Sequence, residues 1–454
     1  MIKEIFRRRI ERLGIVLAFL CPLLFSAGPL LAETPAPESD IPFDERFWKG
    51  LETGFKGPVG SHYYFKDGFR TESPDGRLKT KIGGEVRLDG GYIGANDTLK
   101  RAFTDLPGWK VNFRELRVRL SGTFLENWKF QIDWDLGNVR QIKDIWISYG
   151  KIPFLGTAKF GHTKEPFSLE GFMSNSNRTF MEMALPVEAF FPGRNFGILC
   201  RNSVLDERLT WAAGYFLITG SFSDVADATD YLSDIFGSAV SFRVTGLPRY
   251  EDDGKELLHL GFSYSHQFRD DTRDNSQLKV RAHPESRLTN DTFVNTEKFF
   301  TEAVDLFGYE AAVVRGPLSV QGELFQQFAD AESVGDPAFW GFYVYGSYVL
   351  TGEHRSYDRS KGIFKGVTPT NSFHFKDAGW GALEAALRFS YVDLNSKGIQ
   401  GGKEIDLTAG LNWYLNENTR IMFNYVHARV MDRDEPPIDG GNANIFQVRF
   451  QYKL

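Results

Sequence analysis

Histidines, paired carboxylates and regularly spaced cations are the groups in this chain that could do chemistry. His259 and His266 lie seven residues apart, an odd spacing that sends them to opposite faces of one extended strand, so they cannot share a metal there. Asp133 and Asp135 do share a face, as a pair of catalytic carboxylates would. Lys129 and Gln131 occupy the same face, which fits a row of water-facing charge better than an acid–base pair. There is no Gly-x-Ser-x-Gly elbow, no phosphate-cradling P-loop and no His-Glu-x-x-His zinc pair, so no catalytic residue, metal or cofactor is expected. Cations offer more. Lys279, Arg281 and His283 recur at spacing two, with Arg287 just beyond, and on extended backbone the first three line up like rungs. Each rung is a transient anion site of the kind that charged rings provide in channels. Asp270, Asp271, Asp274, Glu285, Asp291 and Glu297 surround them, and a solvated loop accounts equally well for the segment.

The elements that must position these groups read as strands. In the last nine residues, Phe446, Val448, Phe450, Tyr452 and Leu454 share one face, and Gln447, Arg449, Gln451 and Lys453 the other. The same alternation sets Trp128, Phe130, Ile132, Trp134 and Leu136 against Lys129, Gln131, Asp133 and Asp135. It sets Leu116, Val118 and Leu120 against Glu115, Arg117, Arg119 and Ser121, and Ile82, Val86, Leu88 and Tyr92 against Glu85, Arg87 and Asp89. Strands are expected at 78–94, 111–124, 127–137, 143–150, 156–163, 196–203, 208–219, 236–246, 257–268, 304–314, 317–328, 339–350, 380–394, 404–416, 419–430 and 444–454, an even number as bacterial barrels require. A soluble sandwich would bury the aromatics and expose the charges. A transmembrane antiparallel β-barrel of about 16 strands reverses this, with aromatics in lipid and charges lining water.

Composition and compartment favour the barrel. The first residues carry Lys3, Arg7, Arg8, Arg9 and Arg12 ahead of an apolar stretch from Leu13 to Leu31, and Ala32 closes a plausible signal peptide over 1–32. Pro22, Gly28 and Pro29 interrupt that stretch and argue against an anchor helix. Cys21 leaves with the leader, so Cys200 has no partner and reads as a small packing residue. Residues 33–77 are expected to form a periplasmic lead-in and 78–454 the barrel. Aromatics reach 15% and mean hydropathy is −0.31, a combination that suits strands with only one lipid-facing side. A net charge of −6 argues against a nucleic-acid partner.

Short links at 125–126, 204–207, 315–316 and 417–418 alternate with longer ones, as the periplasmic turns and external loops of a barrel do. Segment 164–195 carries Phe167, Phe172, Met173, Phe180, Met181, Phe190 and Phe191 together with Glu165, Glu170, Glu182 and Glu188. It cannot lie in lipid, so an inward fold that packs on the wall and narrows the pore is expected, with an external flap as the alternative. Segment 351–379 breaks the alternation. It is long where a tight turn is due, which leaves an inward fold or a misplaced strand.

These stretches together resemble the phosphate-selective porin O/P family of Gram-negative outer membranes. The matching runs are Lys81-Ile-Gly-Gly84, Phe113-Arg114 through Leu120-Ser-Gly122, Trp128–Asp135, Phe160-Gly161 through Pro166-Phe167-Ser-Leu-Glu170, Phe180-Met181-Glu182, Trp380–Asn395, and Gly401-Gly402 through Gly410-Leu-Asn-Trp-Tyr-Leu-Asn416 to Asn424-Tyr-Val426. The resemblance implies a homotrimer of sixteen-stranded barrels in outer-membrane lipid, each with an inward third loop and an arginine ladder guiding anions. It implies passive diffusion of small hydrophilic solutes, phosphate-like anions among them. Arg87, Arg114, Arg117, Arg119 and Asp135 are the lumen candidates, with Lys279, Arg281, His283 and Arg287 nearer the mouth. The chain departs from the family pattern at Glu85 and Glu115, which stand where the family has cations, at Gly171 in place of a loop lysine, and at Met183 in place of an arginine. Two like charges facing a permeating dianion cost it about 1 kcal/mol or more each, so phosphate specificity is expected to weaken. A porin for sugars or cations, an outer-membrane hydrolase and a secreted carbohydrate-binding β-protein remain the alternatives.

Overall fold

In the computed structural model, residues 54–56, 60–137, 141–219, 235–269, 277–374 and 379–454 are described. The leader and the Pro-rich start of the lead-in lie outside them. Sixteen antiparallel strands form the barrel. They are β1 (Leu78–Ala95), β2 (Gly108–Phe124), β3 (Trp128–Asp135), β4 (Gln141–Ile152), β5 (Gly156–Lys164), β6 (Arg194–Val204), β7 (Leu209–Thr219) and β8 (Ile235–Glu251). Then come β9 (Glu256–Arg269), β10 (Ala303–Arg315), β11 (Leu318–Asp330), β12 (Ala338–Val349), β13 (Ala382–Ser396), β14 (Ile399–Tyr414), β15 (Thr419–Arg433) and β16 (Gly441–Lys453). Each strand pairs with its chain neighbour, and β16 pairs with β1 from Ala443↔Ala95 to Lys453↔Glu85, closing the sheet. A hairpin, His62–Phe65 with Phe69–Glu72, adds to the first residues of β1 at the tight-turn end.

Period-two patterning decides which side each residue takes. On β16, Phe446 is 57% exposed and Phe450 43%, whereas Gln447, Arg449 and Gln451 are buried. Trp109, Phe113, Val118, Ile132, Phe160, Tyr215, Leu260, Phe328, Leu407 and Phe423 are exposed around the remaining circumference. The ionised face is therefore inside and the greasy face outside, the inverse of a soluble sandwich. No helix among the described residues is long and apolar enough to cross a membrane; the strands do so.

Most strand limits fall within a few residues of those read from the pattern. The larger shifts are at β8, which runs five residues past 246, and at β14, which begins five residues before 404. Both extra stretches contain paired residues flanking an irregularity in register, where strict alternation is lost.

Long and short connections alternate until β12. The loop between β1 and β2 holds α1 (Asp97–Ala102), capped by Asn96, whose side chain accepts from the Leu99 N–H. The loop between β5 and β6 holds α2 (Leu169–Phe172) and α3 (Leu185–Phe190) and folds inward. At β12–β13 the alternation reverses: the tight-turn end carries the long segment 350–381, and the opposite end closes with the short link 397–398. The long segment has a physical account. It turns into the lumen, where Tyr357–Asp358 pairs with Ile363–Phe364 and their apolar side chains join Leu169, Met173, Leu247, Leu257, Ala312 and Val314 in one buried cluster. Gly362, at a positive φ of 64°, brings its backbone against the threonines Thr210 and Thr245 of the wall, where a Cβ would collide.

Candidate pore constriction

Loop 165–193 is held inside by apolar packing and by charge. Phe167, Phe180, Leu185, Val187 and Phe190 are buried with the wall residues Phe325, Tyr343, Val392 and Val426. The expected inward fold is therefore what the loop adopts. Glu323 on β11 accepts from the N–H groups of Leu169 (2.7 Å) and Glu170 (2.8 Å), fixing the start of α2. Arg388 on β13 lies over the Phe180 ring at 4.3 Å and donates to the Glu182 carbonyl, Glu170 and Glu285. One buried guanidinium thus ties two inward loops to the wall, because Glu285 belongs to the loop between β9 and β10.

The candidate residues of the first three strands come together as a belt of alternating sign. Arg87 donates to Glu85 (2.7 Å) and lies 3.3 Å from Glu115. Arg117 donates to Glu115 (2.8 Å) and lies 3.8 Å from Asp133, which also accepts from Arg119 (2.7 Å). Asp135 accepts from the N–H groups of Leu116 and Gly137 and faces Lys143 at 3.7 Å. Glu85 and Glu115 therefore act on the arginines themselves, occupying donors that a permeating anion would otherwise meet. Arg114 leaves this belt and holds Glu182 of the inward loop in a bidentate pair at 2.9 and 3.0 Å. Burial opposes the charge on Glu182, yet Arg114 and Arg449 outweigh it and hold the carboxyl well below the usual range.

The four basic residues near the mouth do not stand as rungs on the wall. Arg281-Ala282 pairs with Val294-Asn295 in a small hairpin within the loop, so register is set by that hairpin. Lys279 lies 3.1 Å from Glu297 and Arg281 is exposed. His283 and Arg287 both reach Glu188 on α3, each at 2.6 Å. Burial works against Glu188, but Arg287 and His283 prevail and lower its pKa. These two side chains latch one inward loop to the other.

Several lumen groups were not singled out from the sequence. Arg388, Arg420 and Arg449 lie on polar faces of alternating strands, a signal that was present. Lys164 and Arg194 flank an irregular loop and Arg178 lies at its middle, where no periodicity marks them. A cavity of about 400 Å³ beside the inward loop is lined by Lys143, His162, Arg194, Arg269 and Lys279, with Phe190 and Phe191 beside them. No carboxylate is found among its described lining residues. His259, completely buried, lies 2.7 Å from the Tyr357 hydroxyl and 3.1 Å from Glu310, whereas His266 meets Asp305 on the other face, as the odd spacing required.

A closed sixteen-stranded barrel with a greasy exterior, a charged lumen and an inward constriction loop defines an outer-membrane porin, a water-filled channel for passive diffusion of small hydrophilic solutes. The family model for phosphate-selective porins O and P matches residues 81–454, and the chain belongs to that family. Porin O of Pseudomonas aeruginosa is 25% identical over 428 residues, covering 85% of this chain and 91% of that protein. An uncharacterised protein of Caulobacter vibrioides is 28% identical over 359 residues, 78% of this chain and 69% of its own. Among solved structures, the anion-selective porin from Comamonas acidovorans shares the fold at a TM-score of 0.50 and 12% identity, over 83% of this chain and 100% of that one.

Proposed function

We propose that this porin favours small anions over cations and discriminates only weakly in favour of phosphate. The observation that carries the reading is the division of charge inside the barrel. On the β1–β3 wall every arginine of the belt has a carboxylate beside it, so that wall is close to self-neutralised. Around the cavity next to the inward loop, the ionisable side chains of the lining are all basic, and the acids that pair with Lys143, Arg194 and Lys279 (Asp135, Asp144 and Glu297) stand outside that lining. A solute passing between them meets basic groups at the cavity surface on one side, nearer to it than the acids that balance them. That the related Porin O belongs to a family named for phosphate, and that a porin of the same fold is named anion-selective, supports the sign of the preference.

The channel works without covalent chemistry, and the carboxylates and histidines of the lumen serve as ion-pair and hydrogen-bond partners. Residues 1–32 direct export and residues 33–77 precede the barrel on the periplasmic side. Three copies assemble in outer-membrane lipid, in keeping with the trimer form of OmpT from Vibrio cholerae, which has this fold at a TM-score of 0.51 and 9% identity. Planar-bilayer recording tests the reading. In a potassium chloride gradient the reversal potential is expected on the anion-selective side, and millimolar phosphate is expected to reduce chloride current no more than sulfate does. A reversal potential on the cation side would overturn the proposal.

A further inference from the structure

Arg178 lies on the inward loop, directly after the short turn Asn175–Asn177, and is 5% exposed. Its side chain makes no hydrogen bond or ion pair with any described residue, and its Nε is enclosed without an acceptor. Six other lumen arginines differ. Arg87, Arg114, Arg117, Arg243, Arg388 and Arg449 each hold a carboxylate. Burial lowers the pKa of Arg178 to about 10, with the acids Glu170 and Glu182 pulling the other way and Arg87 reinforcing the fall, so it is still a cation at neutral pH.

Its surroundings add positive field. Arg420 on β15 donates to the Arg178 carbonyl (2.8 Å), to the Tyr414 hydroxyl (3.2 Å) and to Gln451 (3.1 Å), with no carboxylate in the set and its own Nε without a partner. Lys164 ends on the carbonyls of Gly171 (2.7 Å) and Met173, again without a carboxylate. The nearby acids are already engaged: Glu170 accepts from Arg388, Glu182 from Arg114 and Arg449, and Glu115 from Arg117 and the Asn175 amide.

A desolvated guanidinium with open donors is costly to maintain unless something fills them. Its planar fork matches two oxygens of one group, which a spherical halide cannot satisfy. We propose that Arg178 is the oxyanion-coordinating residue of the constriction, binding carboxylate, sulfate or phosphate groups through its free fork, with Arg420 supplying the supporting field. This assignment rests on the anion-passing reading above and deepens it. It places selectivity on the inward loop and not on the arginine belt of the wall.

Block of chloride current in planar bilayers tests it, using sulfate, inorganic phosphate and acetate as separate probes on the full-length mature channel. In the native protein each is expected to block in proportion to its charge. Arg178→Gln is expected to raise the half-blocking concentration of sulfate about tenfold. Arg178→Lys, which keeps the charge and loses the fork, is expected to fall between the two. Heat-modified gel mobility of each variant reports that the barrel has closed. Equal half-blocking concentrations in native and Arg178→Gln channels would overturn the site, as would the absence of block by all three probes in the native channel. The native reversal potential separates the failures: anion preference with unaltered block in the variant removes the site alone, whereas cation preference removes the reading beneath it.

Discussion

Arg449 and Asp89 form a bidentate ion pair across the seam where the last strand meets the first, with both N···O distances at 2.6 Å and both residues buried. The same guanidinium reaches Glu182 at 2.6 Å and the Met181 carbonyl, so barrel closure and loop position depend on one side chain. Removing one partner of a buried pair leaves an uncompensated charge, at a cost of about 3–5 kcal/mol. Arg449→Met is therefore expected to lower the unfolding midpoint in denaturant and to increase current fluctuations as loop 165–193 loosens. An unchanged midpoint would show that the seam is held by backbone pairing alone.

Glu182 gives the loop a pH dependence with a defined sign. Its carboxyl is held below the ordinary value of 4.5 in the folded state, so the latch contributes fully above that value and is lost as pH falls through the lower folded one. Steady openings are expected from neutral pH down to about pH 5, with growing noise only in stronger acid. Glu182→Gln is expected to show that noise at neutral pH. Noise rising in the native channel between pH 7 and pH 5 would contradict this.

Glu85 and Glu115 restrain the belt cations. Replacing both by Gln would leave Arg87 without either carboxylate and Arg117 with only Asp133. With each removed charge worth about 1 kcal/mol to a passing anion, and so about 2 kcal/mol for the pair, the chloride-to-potassium permeability ratio is expected to rise about thirtyfold. The reversal potential measures it, and no shift would place both carboxylates off the conduction path.

Phe364 secures the segment that enters from the tight-turn end. It is fully buried, packs edge-on against Tyr357 at 4.9 Å and lies beneath Arg355 at 4.3 Å. Arg243 adds a polar tie through the carbonyls of Lys361 and Gly362. Phe364→Ala is expected to cost about 3–5 kcal/mol of local packing and to free the segment. Mean single-channel conductance would then rise. Conductance equal to native would show that the segment does not narrow the path.

Glu404 and Asp406 share the inward face of β14, are completely buried beside one another, and receive no hydrogen bond from any other described residue. Glu404→Gln would provide Asp406 with an amide donor. Relieving two adjacent buried acids in this way is expected to raise thermal stability by about 1–3 kcal/mol. A lower midpoint in the variant would indicate that the pair is satisfied by something other than protein.

Much of this molecule could be read from residue order because a strand has a period of two. Once Phe446, Val448, Phe450 and Tyr452 alternate with Gln447, Arg449 and Gln451, sidedness follows, and repeated sixteen times it determines a cylinder with a wet interior. The inward fold of 165–193 was the favoured of two readings, since an apolar loop of that length cannot lie in lipid, and the packing of its aromatics on the wall decided against an external flap. Partnership was not. That Glu85 and Glu115 neutralise Arg87 and Arg117 depends on register between strands, and that Arg449 meets Asp89 depends on closure between chain ends 360 positions apart. The rungs at Lys279, Arg281 and His283 dissolved because a local hairpin and Glu188 redirected them. The place of 350–381 and the isolation of Arg178 belong to irregular backbone, where no period links neighbours in sequence to neighbours in space, so only the assembled tertiary structure decides them.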